Sequence, residues 1–313
     1  MRVAGTSYTD SMVAQMNLLA AQQYKLQQRA STGQRIQAPE DDPAGMQQAL
    51  GLQAESSNVS QYAENITTLQ GRSNAGYAVL QQIQTIVSRV GDIATQVDGT
   101  TSPQAMQSYA TEVTQLIQQA AQLMNTKNNG QYLFGGTASG QPPFTVTTDA
   151  NGNVTGVTYQ GNTSVAQSQI ADNSTISADV PGENTTGSGP RGLVADSRYG
   201  ADLFNHLISL QNDLLANNTG AVSTTDNAAI SKDQDNVAYQ VANYGAVQAQ
   251  LNTAASLAST RTTALSQDIN NVAGADLATT LSQLSQANTA YTAALQSAST
   301  LLQLKQSLLA YLP

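Results

Sequence analysis

Apolar residues recur along this chain at alternating intervals of four and three, and the places where that rhythm stops divide it into segments. Met12, Met16, Leu19, Leu26 and Ala30 keep the spacing through one polar position, Gln23, as the seam of a coiled coil does. A longer series runs Leu52, Glu55, Val59, Tyr62, Ile66, Leu69, Ser73, Gly76, Leu80, Ile83, Val87, Val90, Ala94, Val97. It predicts one helix of about 70 Å, at 1.5 Å per residue. "DGTTSP" (98–103) ends it, with Pro103 placed to open the next helix, which carries Met106, Tyr109, Val113, Leu116, Ala120 and Leu123 at the same spacing.

The rhythm then disappears. Residues 131–195 are rich in Gly, Thr, Ser and Asn, with short β-prone pieces, "FTVTT" and "VTGVTYQ", around "DANGN". Helix resumes with Leu203, Phe204, Leu207 and Ile208 and continues through 225–270. The last segment carries Leu277, Leu281, Leu284, Asn288, Tyr291, Leu295, Ala298 and Leu302 in seam register and ends "SLLAYLP", with Leu308 and Leu309. The expected fold is mainly α: long helices from both chain ends form a coiled-coil-like bundle, with a small inserted β domain. Three domains follow: 1–44 with 271–313 for assembly, 45–130 with 196–270 as helical core, and 131–195 as the insert.

A narrow apolar stripe needs a partner to be buried. Either the N-terminal helices pack on the C-terminal ones within one chain, or the seams also meet other subunits; periodicity fits both. Small or polar residues at Gln23, Ala30, Asn288 and Ala298 make the terminal stripes thin. Their burial contributes little against the entropy of ordering the backbone, so both ends are expected to be disordered in the monomer.

Composition narrows the chemistry. The 313 residues hold 12 Lys and Arg against 21 Asp and Glu, a formal charge of −9, which argues against nucleic acid as a partner. Cysteine is absent, excluding disulfides and thiolate sites, and the single histidine, His206, cannot build a multi-histidine zinc site. The N-terminus lacks the apolar core of a Sec signal, and Gln, Ser, Thr and Asn interrupt the uncharged run 277–304, so no membrane insertion is expected.

Two stretches invite a metal reading. Glu40, Asp41 and Asp42 stand in a row before Pro43, but consecutive carboxylates point in different directions. Asp42 before Pro43 is instead a favoured helix N-cap. "DANGNVTGVTYQ" alternates Asp149, Asn151 and Asn153 like a calcium loop, yet Val154 and Gln160 occupy positions that require Gly and Glu. A hairpin turn at Asn151-Gly152 explains the same residues. "FGGTASG" (134–140) lacks the spacing and lysine of a phosphate loop. Neither catalytic residues, nor metal ligands, nor a cofactor site is predicted.

"LQQRASTGQRIQAPEDDPAGM" (26–46) resembles the N-terminal signature of the flagellin family, R-x-S/T-x-G-x-R-I followed by an acid pair. Arg29, Gly33, Arg35, Asp41, Asp42 and Pro43 carry it. The opening "MRV", the acid pair before proline, "NGQYLFGGT" (129–137) and the ending "SLLAYLP" resemble the branch of that family found at the hook–filament junction. The resemblance implies a secreted structural part of the bacterial flagellum, needed for motility and not an enzyme. It implies ring self-association, contact with the adjoining hook-associated junction protein and with flagellin, and templating of filament assembly. It also implies type III export, with a cytoplasmic flagellar export chaperone on the C-terminal segment. In that family Met12, Met16, Leu19, Leu26, Leu277, Leu281, Leu284, Tyr291, Leu295, Leu302, Leu308 and Leu309 would form the assembly seam. The alternatives are a filament flagellin, against which "DDPAG" and the C-terminal ending speak, and a surface-exposed binding module on the β insert.

Overall fold

The computed structural model describes the backbone of residues 3–310 and the side chains of 10–304 and 307. Helices dominate it: α1 (Val3–Thr32), α2 (Pro43–Gln96), α3 (Pro103–Met124), α4 (Leu203–Leu215), the short α5 (Thr219–Ala221), α6 (Asn227–Ala273) and α7 (Leu277–Ala310). One π turn, Val222–Asp226, leads into α6. Nine short strands lie between α3 and α4: β1 (Lys127–Asn128), β2 (Gln131–Tyr132), β3 (Phe144–Thr148), β4 (Val154–Tyr159), β5 (Ser168–Ala171), β6 (Ser174–Ile176), β7 (Glu183–Asn184), β8 (Ala195–Asp196) and β9 (Ala201–Asp202). The fold is mainly α with an inserted β region, as the pattern predicts.

The chain divides into two compact units, one of residues 1–58 with 261–313, the other of residues 59–260, with the boundaries falling inside α2 and α6. In the second unit, the α2 stripe read from sequence is the buried one. Ile66, Leu80, Ile83, Val87, Val90, Ala94 and Val97 are almost fully enclosed, and even Ser73 is 0% exposed. On α3 the stripe is rotated from the expected one. Ala110, Ile117, Ala121 and Met124 are buried with Met106, Val113 and Ala120, whereas Tyr109, Leu116 and Leu123 only flank the core. A second helix, α4, sits against α3, so the buried face widens toward it.

Helix ends follow from local chemistry. Ser102 caps α3 by accepting the Ala105 N–H at 3.2 Å, with Pro103 at the first helical position. The β3–β4 hairpin forms, but its turn differs from the expected one. Gly152 N–H donates to Asp149 O at 3.2 Å, so Ala150 and Asn151 are the central pair, and Gly152 adopts φ +87. This is a type I turn with a glycine bulge, braced by the Asp149 carboxylate accepting from Asn151 and Asn153 N–H at 2.8 and 2.9 Å. The carboxylate that suggested calcium is consumed by backbone.

Candidate assembly surface

In the terminal unit, α1 and α7 pair antiparallel. Helix α1 ends at, and α7 starts from, a short bridge where Gln34 faces Gly274, Arg35 N–H donates to Ala273 O at 2.7 Å, and Ala275 N–H donates to Gly33 O at 2.8 Å. Met12, Met16, Leu19 and Gln23 are half-buried and Leu26 is buried, so the predicted α1 stripe is the covered one. On α7 the covered face is Thr280, Leu284, Ala287, Tyr291, Ala294 and Ala298, again spaced by fours and threes. Of the predicted α7 seam, only Leu284, Tyr291 and Ala298 belong to it.

The remaining leucines look outward. Leu277, Leu281, Leu295 and Leu302 are 48, 55, 42 and 58% exposed, and Leu301 and Leu304 are exposed on other faces of the helix. Leu308 and Leu309 lie outside the residues whose side chains are described. Helix α7 covers mostly small residues, with Leu284 and Tyr291 among them, and leaves four of its leucines open along the neighbouring face. Single exposed leucines are ordinary, but a row of them along one helix marks a contact face. Among the described residues, no helix is long and apolar enough to cross a membrane.

The signature residues build the elbow between α1 and α2. Gly33 ends α1 at φ +67, its N–H donating to Arg29 O at 2.9 Å, a left-handed cap that suits glycine. Asp42 caps α2, accepting the Gly45 N–H at 2.9 Å, as the sequence predicts. Arg35 bridges the elbow, reaching Asp42 Oδ2 at 3.2 Å and Val272 O at 2.8 Å. Asp41 pairs with Lys25 and accepts from Gln37 and Ala38 N–H, and the Lys25 ammonium in particular holds its carboxyl at about 2. Arg29 lies on a cavity of about 310 Å³ shared with Tyr24, Lys25, Gln37, Glu40 and Asp41, its Nε enclosed without a partner among the described residues. The three acids therefore do separate jobs: Glu40 is exposed, Asp41 ties α1 to the elbow, and Asp42 starts α2.

In the second unit, His206 Nδ1 lies 2.8 Å from Asp233 Oδ2, while Asp233 Oδ1 accepts the Asp202 N–H at 2.9 Å, tying the start of α4 to α6. The Asp233 carboxylate raises the imidazole's pKa. No group of His, Asp or Glu suited to a metal occurs among the described residues. Sequence reasoning did not identify Asn125 or Gln211, whose amides clamp the β3–β4 hairpin, because contacts across 19 and 57 residues leave no periodic trace.

Helices from both chain ends thus pair antiparallel, with strands inserted between them. Residues 7–139 match the family described as the bacterial flagellin N-terminal helical region. More particularly, the chain is similar to flagellar hook-associated protein 3 of Salmonella typhimurium, 32% identical over 126 residues, 40% of each chain. The match thus spans about two fifths of that curated relative's length. Its fold is shared with a putative flagellar hook-associated protein from Vibrio parahaemolyticus (TM-score 0.62, 18% identity, covering 75% of this chain and all of that one). It is shared also with FlgL of Bacillus cereus (TM-score 0.55, 18% identity, covering 70% and 99%). The resemblance read from Arg29, Gly33, Arg35 and the acid pair is borne out, over the N-terminal region in sequence and more widely in fold.

Proposed function

We propose that this chain is a secreted structural component of the bacterial flagellum at the hook–filament junction, not an enzyme, and that copies of it form a ring on which filament assembly is templated. One observation carries the reading. The α7 leucines are left open along a helix whose other face is already paired, so neighbouring subunits complete the burial. Copies of this chain, the adjoining hook-associated protein and flagellin are the partners of that face. The thin α1–α7 seam also suits ends that travel unfolded through an export channel, held beforehand by a cytoplasmic chaperone on the C-terminal segment, and become helical on assembly.

The test is Leu281→Asp and Leu295→Asp in cells. Both chains are expected to be exported and folded, yet absent from hook tips, with flagellin shed into the medium. Normal filaments on either variant would overturn the reading. Strong amide protection of both termini in isolated monomer would overturn the folding-on-assembly part alone.

A further inference from the structure

The inserted β region ends in a three-stranded sheet of order β7-β8-β9, each strand two residues long. Its register sets Glu183 opposite Ala195 and Ala195 opposite Asp202, so the three form one row. Opposed residues of paired strands share a face, which puts two carboxylates on one side of the sheet with only a methyl group between them. Asp196 belongs to the other row, where Arg198 neutralises it at 2.6 Å. Glu183 has no such help. It is half-buried, and among the described residues neither a hydrogen-bond donor nor a cation meets its carboxyl group. Such a group is costly to ionise, and a second carboxylate in its row adds to the cost.

A second ionisable pair ties the far end of the row to the helices. Asp233 on α6 is 1% exposed; its Oδ1 accepts the Asp202 N–H at 2.9 Å and its Oδ2 lies 2.8 Å from His206 Nδ1 on α4. Protonated His206 supplies the counter-charge that this enclosed carboxylate needs. Burial raises the Asp233 carboxyl and His206 pulls it back. The other charges facing the imidazole are Asp202, which favours its protonated form, Lys232, which opposes it, and Asp226 in the π turn. On the Glu183 side stands Tyr159 of β4, whose hydroxyl accepts the Gly182 N–H at 3.2 Å. Asp202 is common to both pairs: its charge opposes ionisation of Glu183 and favours protonation of His206. Losing both protons leaves three carboxylates in one place and no cation bonded to them.

We propose that Glu183, Asp202, Asp233 and His206 form a proton-operated clasp that fastens β7 to the helical core below neutral pH and releases it as pH rises. Strand β7 is the part that yields, because it lies at the sheet edge and pairs with β8 alone. Its approach is held by the Leu193 and Val194 N–H groups, which donate to Pro181 O and Gly182 O at 2.9 Å each. A Cβ on Gly182 would stand 2.6 Å from the Phe144 ring, so this segment lies directly on Phe144. Release uncovers that ring, which is 2% exposed in the closed form. Burial first, and Asp202 next, pushes the Glu183 carboxyl up to about 7, and Asp233 raises the His206 imidazole. Both groups hold the proton more tightly when folded. The stabilisation is therefore full below their ordinary values and is lost as pH rises through the folded ones. The clasp operates within one chain and does not depend on assembly.

The test is amide hydrogen exchange of the intact chain at pH 6 and pH 8, read as protection factors so that the intrinsic pH dependence of exchange cancels. Protection of the Leu193 and Val194 amides is expected to fall about tenfold, the factor that one pKa unit represents, and to fall less at Ile117 in the core. Glu183→Gln keeps the shape but cannot ionise, and should abolish most of the fall. Asp202→Asn removes the opposing charge and should reduce it. In the wild-type chain the Glu183 carboxyl carbon, followed by NMR after glutamate labelling, should titrate near pH 7, which decides the matter even where a variant fails to fold. A Glu183 midpoint in the ordinary carboxylate range, equal protection at pH 6 and pH 8, or a fall that Glu183→Gln leaves intact would each overturn the clasp.

Discussion

The unit of residues 59–260 and the unit of the paired termini draw on the same residue types and bury them to very different depths. The first encloses one continuous core in which α2, α3, α4 and α6 meet the strands, with Phe134, Phe144, Ile117, Leu193 and Leu207 at 2% exposure or less. Among the described residues, the apolar side chains that the second buries are Leu26, Ile36, Ala49, Leu265, Ala273 and Ala287, half of them alanine. It holds its shape with elbow contacts instead: Asp42 on the α2 N-terminus, Lys25 on Asp41, and Arg35 on Val272 O. A deep core is stable alone; a thin seam with open leucines becomes stable when something covers it. On the assembly proposed above, the contrast separates a self-sufficient core from a seam that neighbours would complete.

The contrast breaks most sharply at Ile117, which is 0% exposed. Ile117→Ala should cost about 2–5 kcal/mol in denaturant unfolding, through the lost burial and the cavity. A cost below that of Leu284→Ala on the terminal seam would reverse the comparison. At Gly76 a Cβ would meet the buried Tyr244 ring at 2.6 Å, so Gly76→Ala should destabilise by about 1–3 kcal/mol. Gly91→Ala meets only the end of the Gln234 side chain, which can move, and should come out near neutral or stabilising.

In the terminal unit, Asp42→Ala should cost about 0.5–2 kcal/mol, with most of it recovered by Asp42→Asn or Asp42→Ser, which still cap. Melting that responds to chelator would sink the capping account.

Acid should weaken the elbow, whereas in residues 59–260 it acts in both directions, since Thr100, Arg89 and Asn153 side chains hold Asp98, Glu112 and Asp149 below the usual carboxylate range. Asp41 titrates at about 2 rather than 3.8, because of Lys25 first and Gln37 next, and the Gly45 N–H lowers Asp42. That stabilisation is complete above the ordinary carboxylate value and is lost as pH falls toward 2. Burial instead pushes Glu183 up to about 7 and Asp226 up to about 6. Their native forms hold the proton more tightly, so their contribution is full below the ordinary carboxylate values and is lost as pH rises through 6 and 7. Because the deep core of residues 59–260 does not rest on ion pairs as the elbow does, limited proteolysis at pH 3 should cut the elbow and termini first; equal sensitivity of both would refute the division. The smallest effect is expected at the open leucines: Leu281→Asp should change monomer stability by no more than about 0.5 kcal/mol, measured by urea unfolding.

The four–three spacing and the punctuation by Gly33, Pro43 and Pro103 were enough to place α1, α2 and α3, because helix periodicity and capping are local and each residue reports its own face. Asp42 was legible as a cap for the same reason, and the motif around it carried the family resemblance. The same spacing left open which face of α7 would be covered, since a leucine stripe runs beside the one through Thr280, Leu284, Ala287 and Tyr291, and only the position of α1 selects the latter. It also could not rotate the α3 stripe toward Ile117, because that depends on α4 arriving from 90 residues away in sequence. The Asn125 and Gln211 clamps, the Arg35 reach to Val272 and the bulged turn at Gly152 are likewise tertiary decisions. An amide or guanidinium has the same local signature whether it faces water or completes a strand, and only the folded chain determines which groups lie within hydrogen-bond distance.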